Sequence, residues 1–422
     1  MIDLRQLRED PDRFRQALRR RGRDPGLVDR ALELDRAWRE GLREVERLRA
    51  EQNRANQEVA RLQGDARERR IAEVRELVAR LRALEPEVRA RREALDQVLL
   101  EFPNPPHATV PDGSGEADNV VLRSWGEPRA FDFPPLDHVE LGRRLGILDF
   151  ERAAKVSGAR FYYLLGEGAL LEMALVRFAL DRLLAHGFVP VLPPVLVRPD
   201  VITGAWGGVA FDPQQTYRVS DDDLALVGTS EQSLAGLYRD EVLDAERLPI
   251  RLAGVSWCFR REAGAHGREA RGLYRVHQFD KVEMFSYVHP DRSWDEHEFL
   301  VGVEEELLQA LRIPYRVVLL CAGDLGTASA KTYDLEAWMP GRDAYGEVTS
   351  CSNTTDFQAR RLEIRFRERG RTDYVHTLNG TAVATSRMLI AVLENYQEPD
   401  GGVRVPDALV PYTGFDRIPP RA

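Results

Sequence analysis

Residues 27–100 repeat mostly apolar positions at alternating spacings of four and three. Leu34, Trp38, Gly41, Val45, Leu48, Gln52, Ala55, Val59 and Leu62 form one seam. Ile71, Val74, Val78, Leu81, Val88, Leu95 and Leu99 form a second. Such spacing predicts helices that bury one stripe against a partner. Gln63-Gly64-Asp65 interrupts the pattern between them, which predicts an antiparallel helical hairpin. At about 1.5 Å per residue, an arm of about 35 residues is roughly 50 Å long. Pro86 is expected to disturb the second helix and kink it.

The pattern changes after residue 101. FPNPPHATVPDGSGEADNVVLRSW (102–125) is rich in Pro and Gly and breaks both periods, so it reads as a linker. The predicted domains are 1–104, a linker over 105–125, and 126–422. LLEMALVRFALDRLLAHG (170–187) has a helical period and closes on Gly187. The prolines of the following FVPVLPPVLV suit an edge strand or an interface crossing. Short strands are predicted near 225–229, 252–259, 276–287, 315–320, 347–351 and 373–378, and a last helix over 381–396. Strands joined by short loops imply an α+β domain on a mainly antiparallel sheet flanked by helices.

Composition narrows the class. The chain has 422 residues, 31 % of them charged and 43 % hydrophobic, as in soluble globular proteins. No apolar run is long enough to span a membrane, and the opening MIDLRQLREDPDRF lacks the apolar stretch of a secretory signal. Cys258, Cys321 and Cys351 have no metal-ligand spacing. They read as buried hydrophobes in a reducing, cytoplasmic setting. The net charge is −9, yet the first hundred residues hold 25 arginines against 21 acids. The helical part is therefore basic and the remainder acidic, which suggests separate tasks. Arg54, Arg61, Arg67, Arg69 and Arg70 crowd the hairpin tip. A basic prong suits a phosphate backbone, although a dimerising coiled coil would show the same seams.

CFRREAGAHGREARGLYRVHQFDKVEMF (258–285) holds five arginines, a lysine and four acids. A solvated surface would explain them, as would a site for a polyphosphate and an amine. Arg260 falls at a predicted strand end, where a planar guanidinium can grip phosphate. Phe279, Lys281 and Glu283 alternate on the returning strand and share a face, so an aromatic ring there can stack on a base. His266, Arg268 and Arg271 occupy a polar loop between the strands and are placed to close on distal phosphates. Thr229-Ser230-Glu231 offers hydroxyls and a carboxylate after an apolar strand. In YGEVTSCSN, Glu347 and Ser350 supply hard oxygens for Mg²⁺. HTLNGTAVATSRMLIAVLENYQ is read as a polar turn leading into a helix that carries Arg387. No G-x-x-x-x-G-K-[ST] loop occurs, and no G-x-G-x-x-G opens a helix, so any ATP site relies on arginines over an antiparallel sheet.

Together these segments resemble the seryl-tRNA synthetases, a family of class II aminoacyl-tRNA synthetases, over essentially the whole chain. HGFVPVLPPVLV resembles the first class II motif, the 258–285 stretch the second, and LNGTAVATSRMLIAVLENYQ the third. VGTSEQS resembles the serine-binding turn. The resemblance implies a class II catalytic domain, a helical tRNA-binding arm, and a homodimer built around Pro194. It implies ATP and L-serine as substrates, Mg²⁺ held by Glu347 and Ser350, and tRNA(Ser) as partner, with tRNA(Sec) as an alternative acceptor. ATP binding falls to Arg260, Arg261, Glu262, Arg271, Arg275, Val276, Phe279, Glu347, Val348, Thr349, Ser350 and Arg387. Serine binding falls to Thr229, Ser230, Glu231, Arg260, Glu283, Asn379 and Thr381. Arg260 and Arg387 are the implied catalytic pair. Ala382 and Ser386 stand where this family often has glycine, so backbone approach to ATP is expected to differ there. A ligase that charges a carrier protein would not need the basic hairpin, and a non-catalytic RNA-binding relative would not need Arg260, Glu347 and Arg387.

Overall fold

The computed structural model describes residues 1–208, 212, 214–263 and 271–421. It divides into two compact units, Ile2–Phe102 and Pro103–Ala422 together with Met1.

The first unit contains α1 (Leu4–Glu9), α2 (Pro11–Arg20), α3 (Gly26–Val59) and α4 (Gly64–Glu101). Asp3 and Asp10 cap the first two by accepting from Arg5 and Arg13 backbone N–H groups. The long pair is antiparallel, since Arg30 meets Glu101 while Arg49 meets Glu85. Val45, Leu48 and Ala55 pack on Leu77, Leu81 and Val88, largely the residues of the two sequence seams. Gly41 belongs to the seam because of close approach: a Cβ there would lie 2.7 Å from Val88 Cγ2. Helix α4 runs unbroken through Pro86, with buried Leu81 and Val88 packed on either side of it.

The second unit is built on one eight-stranded sheet: β1 (Val120–Trp125), β2 (Val189–Val191), β3 (Ile250–Phe259), β4 (Gln278–Val288), β5 (Tyr315–Leu319), β6 (Lys331–Met339), β7 (Ala344–Thr355) and β8 (His376–Ala384). Their order is β1-β5-β6-β7-β8-β4-β3-β2. Every pair in it is antiparallel except the edge pair β2–β3. Pro190 lies on that edge strand, where a missing N–H costs no central ladder bond. Helices α5 (Glu167–Ala185), α6 (Ser230–Ala235), α7 (Ser293–Ala310) and α8 (Thr385–Asn395) complete the frame. Leu171 and Phe178 of α5, Leu300 and Leu307 of α7, and Met388 and Leu389 of α8 fill the main core with Val282, Leu335 and Leu378 of the strands. The class is α+β, as the strand pattern implied.

Three segments differ from the sequence reading. The stretch 105–125 belongs to the second unit, and its end forms β1, paired with β5. Its irregular backbone is tied down: His107 N donates to Ala330 O (2.8 Å), and Ala322 N donates to Pro111 O (2.9 Å). The last helix starts at Thr385 rather than 381, because Asn379–Thr381 continue β8 as a strand. Strand β6 went unpredicted.

Candidate active site

The sheet face turned away from the core helices carries a cavity of about 820 Å³. Most of its floor comes from alternation along strands. Phe279, Lys281 and Glu283 of β4 line it, as do Asp334 and Glu336 of β6, Glu347 and Ser350 of β7, and Asn379 and Thr381 of β8. Registry brings the carboxylates to their partners, since Glu283 lies opposite Thr381 and Asp334 opposite Ser350.

One end of the cavity is cationic. Arg260 directly follows β3, and its backbone exchanges bonds with His277 (N to O 3.0 Å; O from Nδ1 2.8 Å). Its Nε donates to Gly228 O at 3.1 Å, and its Cζ lies 5.3 Å from the Phe279 ring centre. The Phe279 ring packs with Cys258, Val276 and Ala384. Arg387, on the first turn of α8, donates to Glu347 O (3.1 Å) and pairs with its carboxylate (2.9 Å), above the Tyr274 ring. Burial pushes the Glu347 carboxyl up, but Arg387, Arg260 and Arg275 more than offset this and hold it below its ordinary value. Asp334 is different: burial and the Glu347 charge push it well up, against a Ser350 hydrogen bond. Its Oδ1 is buried without a hydrogen-bond partner. Glu262 has a left-handed backbone (φ 48°) and accepts from Arg275 Nη1 at 3.3 Å. Such backbone strain in a non-glycine residue is typical of ligand sites.

The other end holds buried carboxylates. Glu283 is fully buried; it accepts from Thr381 Oγ1 (3.0 Å) and Asn379 Nδ2 (3.2 Å) and pairs with Lys281 Nζ (2.5 Å). Glu231 follows the cap of α6, where Thr229 Oγ1 accepts from its N–H at 3.2 Å. Gln358 Nε2 donates to its Oε1 at 2.8 Å. Burial, then the Glu283 charge, pushes Glu231 up to about 7, opposed by Lys281 and by hydrogen bonds from Gln358 and Trp206. One ammonium therefore serves two carboxylates, and a second cation would be stabilised between them.

Most of the sequence-derived residues line this cavity: Thr229, Glu231, Arg260, Glu262, Arg275, Val276, Phe279, Glu283, Glu347, Val348, Thr349, Ser350, Asn379, Thr381 and Arg387. Three do not. Ser230 is buried with its hydroxyl toward Gly254 O (3.5 Å), Arg261 lies over Tyr217, and exposed Arg271 pairs with Asp137 (3.2 Å). His266 and Arg268 lie outside the described residues. Thr349 directs its hydroxyl to buried Glu304 (2.9 Å). Ala382 packs in the core, whereas Ser386 lines the cavity, so only one of the two glycine replacements reaches the site. Sequence reasoning missed Asp334, Tyr274, Arg342 and Gln358. The alternation Thr332-Asp334-Glu336 against Tyr333-Leu335-Ala337 was the available signal for the first. Nothing local marks Gln358. Among the described residues no group of three or more His, Cys, Asp or Glu side chains has metal-holding geometry.

At the hairpin turn, Arg54, Arg61, Arg67 and Arg69 are exposed. Arg70 is tied to Glu58 (2.7 Å) and to Glu73, so its charge is largely spent within the hairpin.

This cavity, guanidinium-lined at one end and carboxylate-lined at the other, has close counterparts. The family description "tRNA synthetase class II core domain (G, H, P, S and T)" matches residues 216–396, and "Seryl-tRNA synthetase N-terminal domain" matches 1–106. The chain is 49 % identical to a serine–tRNA ligase of Thermobifida fusca, covering 100 % of both chains. It is 50 % identical to that of Rubrobacter xylanophilus, covering 100 % of this chain and 99 % of the other. The crystal structure of seryl-tRNA synthetase from Pyrococcus horikoshii complexed with ATP superimposes with a TM-score of 0.95 at 46 % identity, over 100 % of each chain. With both halves of the chain matched and the likeness end to end, the protein belongs to the seryl-tRNA synthetase family of class II aminoacyl-tRNA synthetases.

Proposed function

We propose that the cavity activates L-serine with ATP to seryl-adenylate and then passes the seryl group to the 3′ end of tRNA(Ser). Two ends of opposite character in one cavity carry this reading: Arg260 and Arg387 beside an aromatic ring, and Glu231, Glu283 and Thr381 at the far side. The base stacks on Phe279, with Glu262, Arg275 and Val276 around it. Arg260 binds the α-phosphate and the serine carboxylate, and Arg387 takes the distal phosphates. Glu231 and Glu283 take the serine ammonium, and Thr381 its hydroxyl.

In the first step the serine carboxylate attacks the α-phosphorus, a P–O bond forms, and the bond to pyrophosphate breaks. A carboxylate is ionised at neutral pH, so no general base is needed. Catalysis is alignment and neutralisation of charge on the phosphoryl oxygens by guanidinium groups already in place. In the second step a hydroxyl of the tRNA's terminal ribose attacks the seryl carbonyl, and AMP leaves. Mg²⁺ fits the orphaned buried Oδ1 of Asp334 beside Glu347 and Ser350, because this ion binds through one or two carboxylates plus substrate phosphates. Those residues would hold it, and it would supply positive charge to the phosphates.

The exposed arginines at the hairpin tip suit the tRNA backbone. A homodimer is supported by exposed apolar residues on α5 and at the end of β2, including Met173 (67 %) on the helix and Leu192 (85 %) directly after the strand. Serine-dependent ATP–pyrophosphate exchange tests the first step, and charging of tRNA(Ser) the second. Exchange driven equally well by alanine would overturn the serine assignment.

A further inference from the structure

Thr385 is the first residue of α8, two before Arg387, and it is fully buried. Its Oγ1 contacts two acceptors, the carbonyl oxygen of Asp280 at 3.0 Å and Oε1 of Glu172 on α5. A hydroxyl carries one proton. If Glu172 were ionised, one of these contacts would be an oxygen facing an oxygen with no proton between. If Glu172 is protonated, both are satisfied: its O–H donates to Thr385 Oγ1, and Thr385 donates to the Asp280 carbonyl.

The surroundings favour that neutral form. Glu172 lines a second cavity of about 300 Å³, separate from the first except that Phe279 lines both. Asp280, Tyr162 and Tyr163 are the titratable groups that share it, and no basic side chain lines it among the described residues. Burial, with a smaller push from the Asp280 charge, raises Glu172 to about 7 against the Thr385 hydrogen bond. Burial also raises Asp280 to about 6 and pushes Tyr162 well up.

Asp280 directly follows Phe279 on β4. The Glu172–Thr385–Asp280 relay therefore ties the strand that carries the stacking ring to the helix that carries Arg387. We propose that Glu172, as a neutral acid acting through Thr385, is a positioning residue that sets the separation of Phe279 and Arg387, and that the grip on ATP loosens when it ionises. The proposal rests on the reading of the large cavity as the ATP site. It concerns a residue that never touches the nucleotide.

The test is the KM for ATP and kcat in serine-dependent pyrophosphate exchange as pH rises from about 6 to about 8.5. The proteins are wild type, Glu172→Gln and Thr385→Val, each checked by thermal melting. For wild type, the KM for ATP should rise about two- to tenfold across this range, the worth of one hydrogen bond, with kcat moving less. Glu172→Gln keeps a donor and cannot ionise, so its KM should stay at the low-pH value throughout. Thr385→Val should show the high KM at every pH. A Glu172→Gln profile that follows wild type, or a Thr385→Val protein with a wild-type KM at low pH, overturns the relay. Absence of serine-dependent exchange in wild type would instead refute the reading of the cavity itself.

Discussion

The proposed binding of serine at the carboxylate end of the cavity leads to a prediction whose size follows from one carboxyl group. Burial and the neighbouring Glu283 push Glu231 up to about 7. An ammonium binds the ionised carboxylate, so the proton must leave before or as serine enters. The direction is set by the raised value: ionisation, and with it affinity for a cation, increases as pH rises through about 7. At about pH 6 roughly one Glu231 in eleven is ionised, and at about pH 8 roughly ten in eleven. The KM for serine should therefore fall about tenfold over that range. Glu231→Gln removes the ionisation but keeps the shape. Its KM for serine should lose this pH dependence and lie about 10- to 150-fold above the wild-type value at high pH, equivalent to the 1.5–3 kcal/mol typical of a hydrogen bond to a charged group. The KM for ATP should be nearly unaffected, because Glu231 lies at the opposite end from Phe279 and Arg387. Steady-state pyrophosphate exchange at varied serine and pH measures all of this. A flat wild-type profile, or the same slope in Glu231→Gln, would refute the assignment of Glu231 to the ammonium.

Three further outcomes are expected. Arg260→Ala should lower pyrophosphate exchange by about 10²–10³-fold, the usual cost of losing one preorganised donor, and Arg260→Lys should not restore it because an ammonium lacks the planar fork; a folded Arg260→Ala protein within about threefold of wild type would return this cluster to surface charge. Replacing Arg61, Arg67 and Arg69 by Ala should leave exchange intact, raise the KM for tRNA in charging, and reduce the salt slope of tRNA binding by roughly one per contact, while Arg70→Ala should do less because Glu58 and Glu73 already hold it; equal loss of exchange and charging would refute the division of labour. Met173→Asp with Leu192→Asp should convert a dimer to monomer by sedimentation, since both side chains are mostly exposed on the single chain; a wild-type protein that is an active monomer would refute the interface.

The hairpin was legible because its seams are local. Each buried position is set by residues three or four away, and Gly64 marks the turn. Strands β3 and β4 were legible for a similar reason, since apolar alternation surrounds the polar positions that face the cavity. Strand β8 was misread because Asn379 and Gly380, which precede Thr381, are poor strand formers by themselves. Their strand conformation comes from neighbours distant in sequence, Cys351 and Ser352 of β7 on one side and Glu283, Met284 and Phe285 of β4 on the other. The same distance hid Gln358, whose link to Glu231 spans 127 residues. The linker reading failed for the opposite reason. Composition describes how a segment can turn, but His107 and Pro111 bond to backbone beyond residue 320, which no local pattern encodes.

Ala382 and Ser386, where the family resemblance led glycine to be expected, illustrate how side-chain direction decides consequence. Along β8 successive side chains alternate between faces. Thr381 points into the cavity and donates to Glu283, so Ala382 must point the other way, and it is completely buried in the main core. A methyl group there adds packing on the helix side and leaves the substrate side as it was. Ser386 follows the strand, on the first turn of α8, and lines the cavity between Thr385 and Arg387. Its hydroxyl is therefore the departure that a phosphate or ribose can meet. Ser386→Gly should change the KM for ATP, while Ala382→Gly should cost stability through lost core packing and a more flexible strand backbone. If the two variants exchanged these effects, the alternation that underlies the whole site would be wrong.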